Sequence, residues 1–577
     1  MAFDAVDDSA PLFLGLDLST QGLKAVLISE DNNVVHESAV QFDRDLPSYG
    51  TINGAIRGPA EGEVTSPVRM WLEAFDLLMV RMRTAGVNFG RIMAVSGDGQ
   101  QHGSVYWSEN AEDLLASLDP SRSLADQLSP DAFSVPNAPI WQDSSTTQEC
   151  RRLEAAAGGA QALADLTGSR AYERFTGNQI ARIRRLNPEA YSSTSRISLV
   201  SSFMPSVFLG KIAPIEVSDA SGMNLMNIQT NRWEDKLLEE CGGSELRVKL
   251  GPEPVPGGTV LGKISPWWVE RWGFNPGEIL HRYDDMVLRI GRLRAGLECL
   301  IAPFTGDNPA TVVALSTPGD AILSCGTSTT LLLSIPPADS APKCFTSSHL
   351  LAHPTTLDAH IAMLCYKNGA LARDQVRDQY ADGDWGKFNE LIEQTPIGNN
   401  GLLGFYFLLP EIIPPNVLGN FFFSTNPPPI RRIDEDDVPA SAHPRVIVES
   451  QFLSIKSRIA AILPEDAPPL QRLVISGGSS ANPVIRQLAA DVFGMRVFMA
   501  GKEGAAEGGA QLARYAWWRA QSGGGTFEEM RAMDAEGQRL KCVAEPKLER
   551  TAVYEALVDA YRKCEDQVVR LCEGMKN

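Results

Sequence analysis

No apolar stretch in this chain of 577 residues approaches the ~18–20 residues needed to cross a bilayer; the nearest is the short run around Phe405, Tyr406 and Phe407. Membrane-spanning helices are therefore not expected. The opening MAFDAVDDSAPLF is acidic and has neither the basic start nor the apolar run of a secretion signal, so a cytoplasmic protein is expected. Cysteine is sparse and unpaired in pattern. The nine residues are an odd number, scattered from Cys150 to Cys572, with no CxxC pair and no ligand cluster. That excludes a disulfide framework or a zinc site and points to reduced thiols. Positive charge is also short: 52 Lys and Arg stand against 71 Asp and Glu, a net charge of -19. Phosphate backbones and anionic lipid are repelled by such a balance, so neither nucleic acid nor a membrane surface is an expected partner. A bound polyphosphate would have to be met locally, by backbone N–H groups and a metal ion.

With 44% hydrophobic residues the chain can bury more than one core, since single cores stop growing near ~250–300 residues. Two large domains are expected. Strands alternate with helices, which predicts α/β layers around a mixed sheet. Phe13–Leu16 and Leu23–Ile28 read as strands joined by the turn Ser19-Thr20-Gln21-Gly22, and Asp31-Asn32-Asn33 turns into a third strand near Val34. Val68, Trp71, Leu72, Phe75, Leu78, Met79 and Met82 fall at helical spacing and predict one helix packed on the sheet. A strand over Arg91–Val95 is expected to end in Ser96-Gly97-Asp98-Gly99. Strand, small polar turn, strand recurs at Ala321–Ser324, Cys325–Ser328 and Thr329–Ser334, a repeat about 300 residues on that suggests duplication. Segments 110–136 and 413–444, the second rich in proline and acid, read as surface loops.

Two known nucleotide motifs fail. Gly257–Ile264 nearly spells a P-loop, but Ile264 stands where a metal-binding hydroxyl is required. Gly97–Gly103 has His102 in place of the third glycine of a dinucleotide fingerprint. The turns carry better chemistry. Asp17, beside Ser19, Thr20, Gln21 and Gly22, can hold magnesium directly or through water while the turn's N–H groups meet phosphate; an ordinary Asx-turn is the competing reading. Gly326-Thr327-Ser328 offers a second set of donors. The strand-turn-helix Leu473–Pro483 places Gly477 and Gly478 where backbone can approach a flat ring.

Taken in order, LGLDLSTQGLKAVLI, SGDGQQHG, WQDSSTTQEC, TGDNPA, SCGTST and VISGGSSANP resemble the motifs of the FGGY carbohydrate kinase family over nearly the whole chain. Gln101-His102-Gly103, Trp141–Ser145, Tyr172–Gly177 and Gly306–Pro309 resemble the branch of that family acting on D-xylulose. The resemblance implies an actin-like or hexokinase-like, ribonuclease H-like α/β fold. It has two duplicated lobes with the active-site cleft between them, residues 11–310 for the sugar and 311–577 for the nucleotide. It implies an ATP-dependent kinase using Mg2+, in which His102, Arg174, Asp307 and Asn308 touch the ketose and Trp385, Gly477, Gly478 and Asn482 border the adenosine. Asp307 would be the base that takes the hydroxyl proton, and its position before Pro309 also suits a helix cap. Asp143 reads as a sugar contact, a supporting residue or the cap of the helix after it. Gln179–Arg182 depart from the family's Lys-apolar-apolar-Trp run, which leaves kinases of other ketoses or polyols open. An actin-like nucleotide switch that phosphorylates no sugar is the remaining alternative.

Overall fold

Apolar runs bounded by small polar turns build the strands, and the computed structural model, which describes residues 10–276, 298–500, 504–534 and 540–574, arranges them in two mixed sheets. The acidic opening through residue 9 lies outside the described residues. Where a single cut near residue 310 was expected, each unit is assembled from several stretches of chain. One comprises Met1–Ala314, Leu351–Leu357 and Glu503–Ala535; the other comprises Leu315–Leu350, Asp358–Lys502 and Glu536–Asn577.

In the first unit, Leu12–Leu18 pairs antiparallel with Gly22–Ser29, which pairs antiparallel with Val34–Gln41. On its other edge Leu12–Leu18 runs parallel to Ile92–Gly99, itself parallel to Leu300–Ile301. The second unit repeats this order. Asp320–Cys325 is antiparallel to Thr329–Ile335, which is antiparallel to His360–Tyr366; on the other edge it is parallel to Arg472–Ser476, itself parallel to Arg496–Ala500. Two meanders with the same parallel crossover are the duplication that the hairpin repeat suggested.

The expected helix runs over Val68–Thr84, and every residue of its predicted face is buried. Helix Ala505–Ser522 belongs to the first unit and lies flat on its sheet. A Cβ on Gly15 would fall on the backbone of Ala506 and Ala510, and one on Gly509 would fall on Gly97, so these glycines let helix and strands approach to backbone contact. Phe13, Ala94, Ala506 and Ala510 fill the same interface.

Three local expectations are corrected. The strand expected over Arg91–Val95 runs from Ile92 to Gly99, because Leu16, Asp17 and Leu18 pair with Gly97, Asp98 and Gly99 to the very end. Segment 110–136 carries helices Ala111–Ala116 and Leu124–Leu128 and strand Phe133–Val135, with Leu124, Leu128 and Phe133 buried. Within 413–444, Gly419–Ser424 pairs with Leu402–Phe407 and buries Phe421, Phe422 and Phe423. In both segments a few apolar residues anchor an otherwise polar stretch. No helix among the described residues is long and apolar enough to cross a membrane, and none of the nine cysteines is joined in a disulfide.

Candidate active site

Sheet register builds the first constellation, entirely within the first unit. At the carboxyl ends of the parallel pair, Asp17 stands opposite Asp98, and Thr305 and Gly306 pair with Asp98 and Gly99. Asp307 follows at once and opens helix Asp307–Leu315. Three distant stretches of sequence therefore deliver carboxylates to one end of one sheet, where open α/β sheets bind ligands.

Asp307 is held by its neighbours. Its Oδ1 accepts the Asn308 backbone N–H at 2.9 Å and the Asn308 amide at 3.1 Å, and the same amide donates to Gln101 Oε1 at 2.9 Å. Burial raises its pKa to about 6, against the pull of the Asn308 and Gln101 N–H groups. Glu216 and Asp219 lie beneath it, fully buried. Glu216 accepts the Thr305 hydroxyl at 2.6 Å and the Asp219 N–H at 3.1 Å; Asp219 accepts the Ser201 hydroxyl at 2.5 Å. Burial raises Glu216 to about 7 and Asp219 to about 8. Glu216 thus pins the strand that leads into Asp307. Asp17 is also raised, by burial and by Asp307, with the neighbouring Asp98 carboxyl, as a hydrogen-bond donor, and then Lys24 opposing.

His102 sits in the turn after the strand with φ 71, a left-handed conformation uncommon outside glycine. Its Nδ1 lies 2.9 Å from the Gly222 carbonyl, its ring stacks on Phe175 at 4.5 Å, and its own carbonyl accepts the Thr176 hydroxyl at 3.0 Å. Because a carbonyl only accepts, Nδ1 carries the proton and Nε2 is left as an acceptor for a hydroxyl. Arg174 lies over Tyr172 at 4.9 Å and over Phe175 at 5.6 Å, close enough to His102 to act on its charge. Burial, then Arg174, lowers the His102 pKa to about 3. A depressed folded value means that its contribution to stability is intact above the ordinary value near 6.5 and is lost as pH falls from there toward 3. The 15N shifts of the His102 imidazole should accordingly show a neutral Nδ1–H ring with no titration between pH 8 and 5. A midpoint near 6.5 would contradict the burial.

The turn Ser19–Gly22 stands beside these groups. Thr20 Oγ1 accepts the Trp141 indole N–H at 2.8 Å and reaches Gln100 Oε1 at 3.4 Å, while the Gln21 carbonyl accepts the Phe42 N–H at 2.9 Å and its side chain is exposed. Asp143 makes no cap for the following helix, which starts at Thr147. Its carboxylate accepts Val64 N–H at 2.9 Å, Ser145 Oγ at 2.6 Å and Gln179 Nε2 at 2.8 Å, so it ties loop to core, and the departure at Gln179 supplies one of the ties.

The second constellation belongs to the second unit. Gly326 and Thr327 form the turn between the first two strands, and the Gly326 carbonyl accepts the Ala370 N–H at 3.0 Å. Gly477 has φ 83, and a Cβ there would come within 2.8 Å of the Cys325 backbone, so only glycine fits. Arg373, almost wholly buried, ties helix His443–Ile462 to the segment after Gly477: it donates to Gln451 Oε1 at 2.5 Å and Ser479 Oγ at 3.0 Å, and Gln451 in turn donates to the Asn368 carbonyl at 2.7 Å. Asn482 caps helix Pro483–Phe493 through Val484 N–H at 2.9 Å and donates to Asn389 at 2.7 Å. Asn389 lies one turn beyond Trp385 on helix Trp385–Gln394, which brings Trp385 toward Asn482. Arg377 lies over the Trp385 ring at 4.9 Å.

Sequence reading missed Asp98, Glu216, Asp219 and Arg373. Asp98 was visible inside a glycine-rich motif, but only strand pairing shows what stands beside it.

The family description "FGGY family of carbohydrate kinases, N-terminal domain" matches residues 131–281, and its C-terminal counterpart matches residues 321–517. A protein named xylulose kinase from Rattus norvegicus is 41% identical over 569 residues, covering 97% of this chain and 98% of that one. A probable D-xylulose kinase A from Aspergillus niger is 42% identical over 552 residues, covering 90% of this chain and 91% of its own. Among solved structures, a xylulose kinase from Rhodospirillum rubrum aligns with TM-score 0.73 at 16% identity, over 97% of this chain and all of that one. A glycerol kinase from Plasmodium falciparum solved with ADP aligns with TM-score 0.68 at 14% identity, over 96% and 98%. These structures share the two-domain actin-like fold, whose duplicated sheet order both units display. The chain belongs to the FGGY family of carbohydrate kinases.

Proposed function

We propose that this kinase transfers the terminal phosphoryl group of ATP to D-xylulose, giving ADP and D-xylulose 5-phosphate, with Asp307 as the base. The observation that carries this reading is the half-buried Asp307, held through Asn308 to Gln101, the residue before His102, in a chain about 40% identical to proteins named xylulose kinases. His102 Nε2 accepts a hydroxyl proton of the sugar, and the Arg174 guanidinium and the Asn308 amide donate to its oxygens. Asp307 accepts the proton of the 5-hydroxyl as that oxygen forms its bond to the γ-phosphorus and the bond from phosphorus to the ADP oxygen breaks. Thr20, Gln21, Gly326 and Thr327 meet phosphate oxygens, and Gly477, Gly478, Asn482 and Trp385 border the base and ribose. Residues 11–310 thus serve mainly the sugar and 311–577 mainly the nucleotide.

The residues present suit magnesium, because Asp17 Oδ1 is buried and receives no hydrogen bond. When bound, the ion neutralises charge on the phosphate oxygens. Asp17 would hold it, and reduced cysteines fit a cytoplasmic address. The test is ADP release with Mg-ATP over a panel of ketoses and polyols. D-xylulose is expected to stimulate most. Equal or greater stimulation by ribulose, gluconate or glycerol moves the specificity within the family, and turnover indifferent to every sugar overturns the kinase reading in favour of a nucleotide switch.

A further inference from the structure

Asp98 is the anomaly of the first unit. It is fully buried, and neither of its carboxyl oxygens receives a hydrogen bond from an N–H or O–H group. Its neighbours worsen its position: Asp17 stands directly across the parallel pair, and Asp307 and Asp219 both add negative charge. A carboxylate without donors costs several kcal/mol to bury, and such a group is retained where something positive compensates it. A buried oxygen of Asp17 is equally without a donor. The two orphaned carboxylates are side by side because parallel register puts residues 17 and 98 at the same level, just before both strands end.

We propose that Asp98 is a second carboxylate of the divalent-cation site, acting with Asp17. The proposal rests on the reading of Asp17 as a cation contact. Among the described residues no group of three or more His, Cys, Asp or Glu forms a closed metal cage. A corner of two carboxylates is nonetheless what magnesium takes, since it keeps several waters and leaves its other positions to phosphate oxygens. The competing role for Asp98 is that of a permanently protonated acid donating to Asp17. Asparagine separates the two: its amide supplies the same donor to Asp17 but no anionic ligand.

Mn2+ alone, titrated into the full-length protein at pH 7.5 and followed by loss of the free-ion EPR signal, provides a readout independent of turnover. Wild type should show one saturable site and a thermal transition raised by the ion. Asp98→Asn should remain folded by circular dichroism, bind Mn2+ at least tenfold more weakly and lose the thermal shift. Asp98→Glu should recover part of the affinity. If Asp98→Asn binds as wild type does while Asp17→Asn does not, Asp98 is the protonated donor and the proposal falls with Asp17 intact. If wild type itself shows no saturable site, the cation role of Asp17 falls as well, while D-xylulose-stimulated ADP release, measured separately, still decides the kinase reading.

Discussion

Replacing Asp307 with Asn should lower kcat for sugar-stimulated ADP release by about 10²- to 10⁴-fold, the range over which a positioned base contributes. The substitution keeps the shape of the side chain and removes only the ability to take a proton. ATP affinity, measured by equilibrium binding, should therefore be unchanged, and the sugar should still bind within a few-fold. The pH profile gives a second, sharper signature. Asp307 must be ionised to work, and burial raises its pKa to about 6, so activity should fall as pH drops through an acid limb with its midpoint at or below that value. A bound cation moves the limb downward, never upward, because it favours the carboxylate. The residual activity of Asp307→Asn should lack the limb. Retention of more than a tenth of wild-type kcat would remove Asp307 from the role of base.

Glu449→Ala should be the most damaging single change to stability. Glu449 is 2% exposed on helix His443–Ile462, and its carboxylate is surrounded by donors. It accepts from Arg445 at 2.7 Å, Tyr554 Oη at 2.6 Å, the Gly398 N–H at 3.2 Å and the Asn399 amide at 2.9 Å. Truncation leaves the buried Arg445 guanidinium without its counter-charge and three further donors unmatched. Breaking one side of a buried pair costs about 3–5 kcal/mol, against ~0–1 kcal/mol for an exposed ion pair. Urea unfolding read by a probe confined to the second unit should show that loss as a lower midpoint with an unchanged slope. Replacing Arg445 and Glu449 together by Met and Leu should recover most of it, since no charge is then stranded. Equal losses in the single and double variants would mean that packing around the helix, not charge, dominates.

Much of this architecture was legible beforehand, and the reason is local. Trp71, Phe75, Leu78 and Met82 had to share a face once the chain was helical, and Val68–Thr84 buries that face. Short apolar runs around Ser19–Gly22 and Gly326–Ser328 had to be strands joined by tight turns, and they are. The loops expected at 110–136 and 413–444 failed where a few residues, Leu124 and Phe133 or Phe421 to Phe423, found an apolar surface supplied by distant parts of the chain. Nothing in their own segments announces such a surface.

The same division runs through the candidate site. His102, Arg174, Asp307, Asn308, Gly477 and Gly478 could be named as candidates because each lies in a motif whose residue types and spacing survive in one dimension, and the ordered motifs alone pointed to the family. Tertiary structure decided the rest. Only strand register sets Asp98 against Asp17; only burial makes Glu216 and Asp219 weak acids beneath Thr305 and Gly306; only the packing of helix His443–Ile462 near Ser479 gives Arg373 both Gln451 and Ser479. Spacing along a chain fixes periodicity and local hydrogen bonding, whereas the energy of a buried charge depends on what stands a few ångströms away, and that is set by residues far apart in sequence.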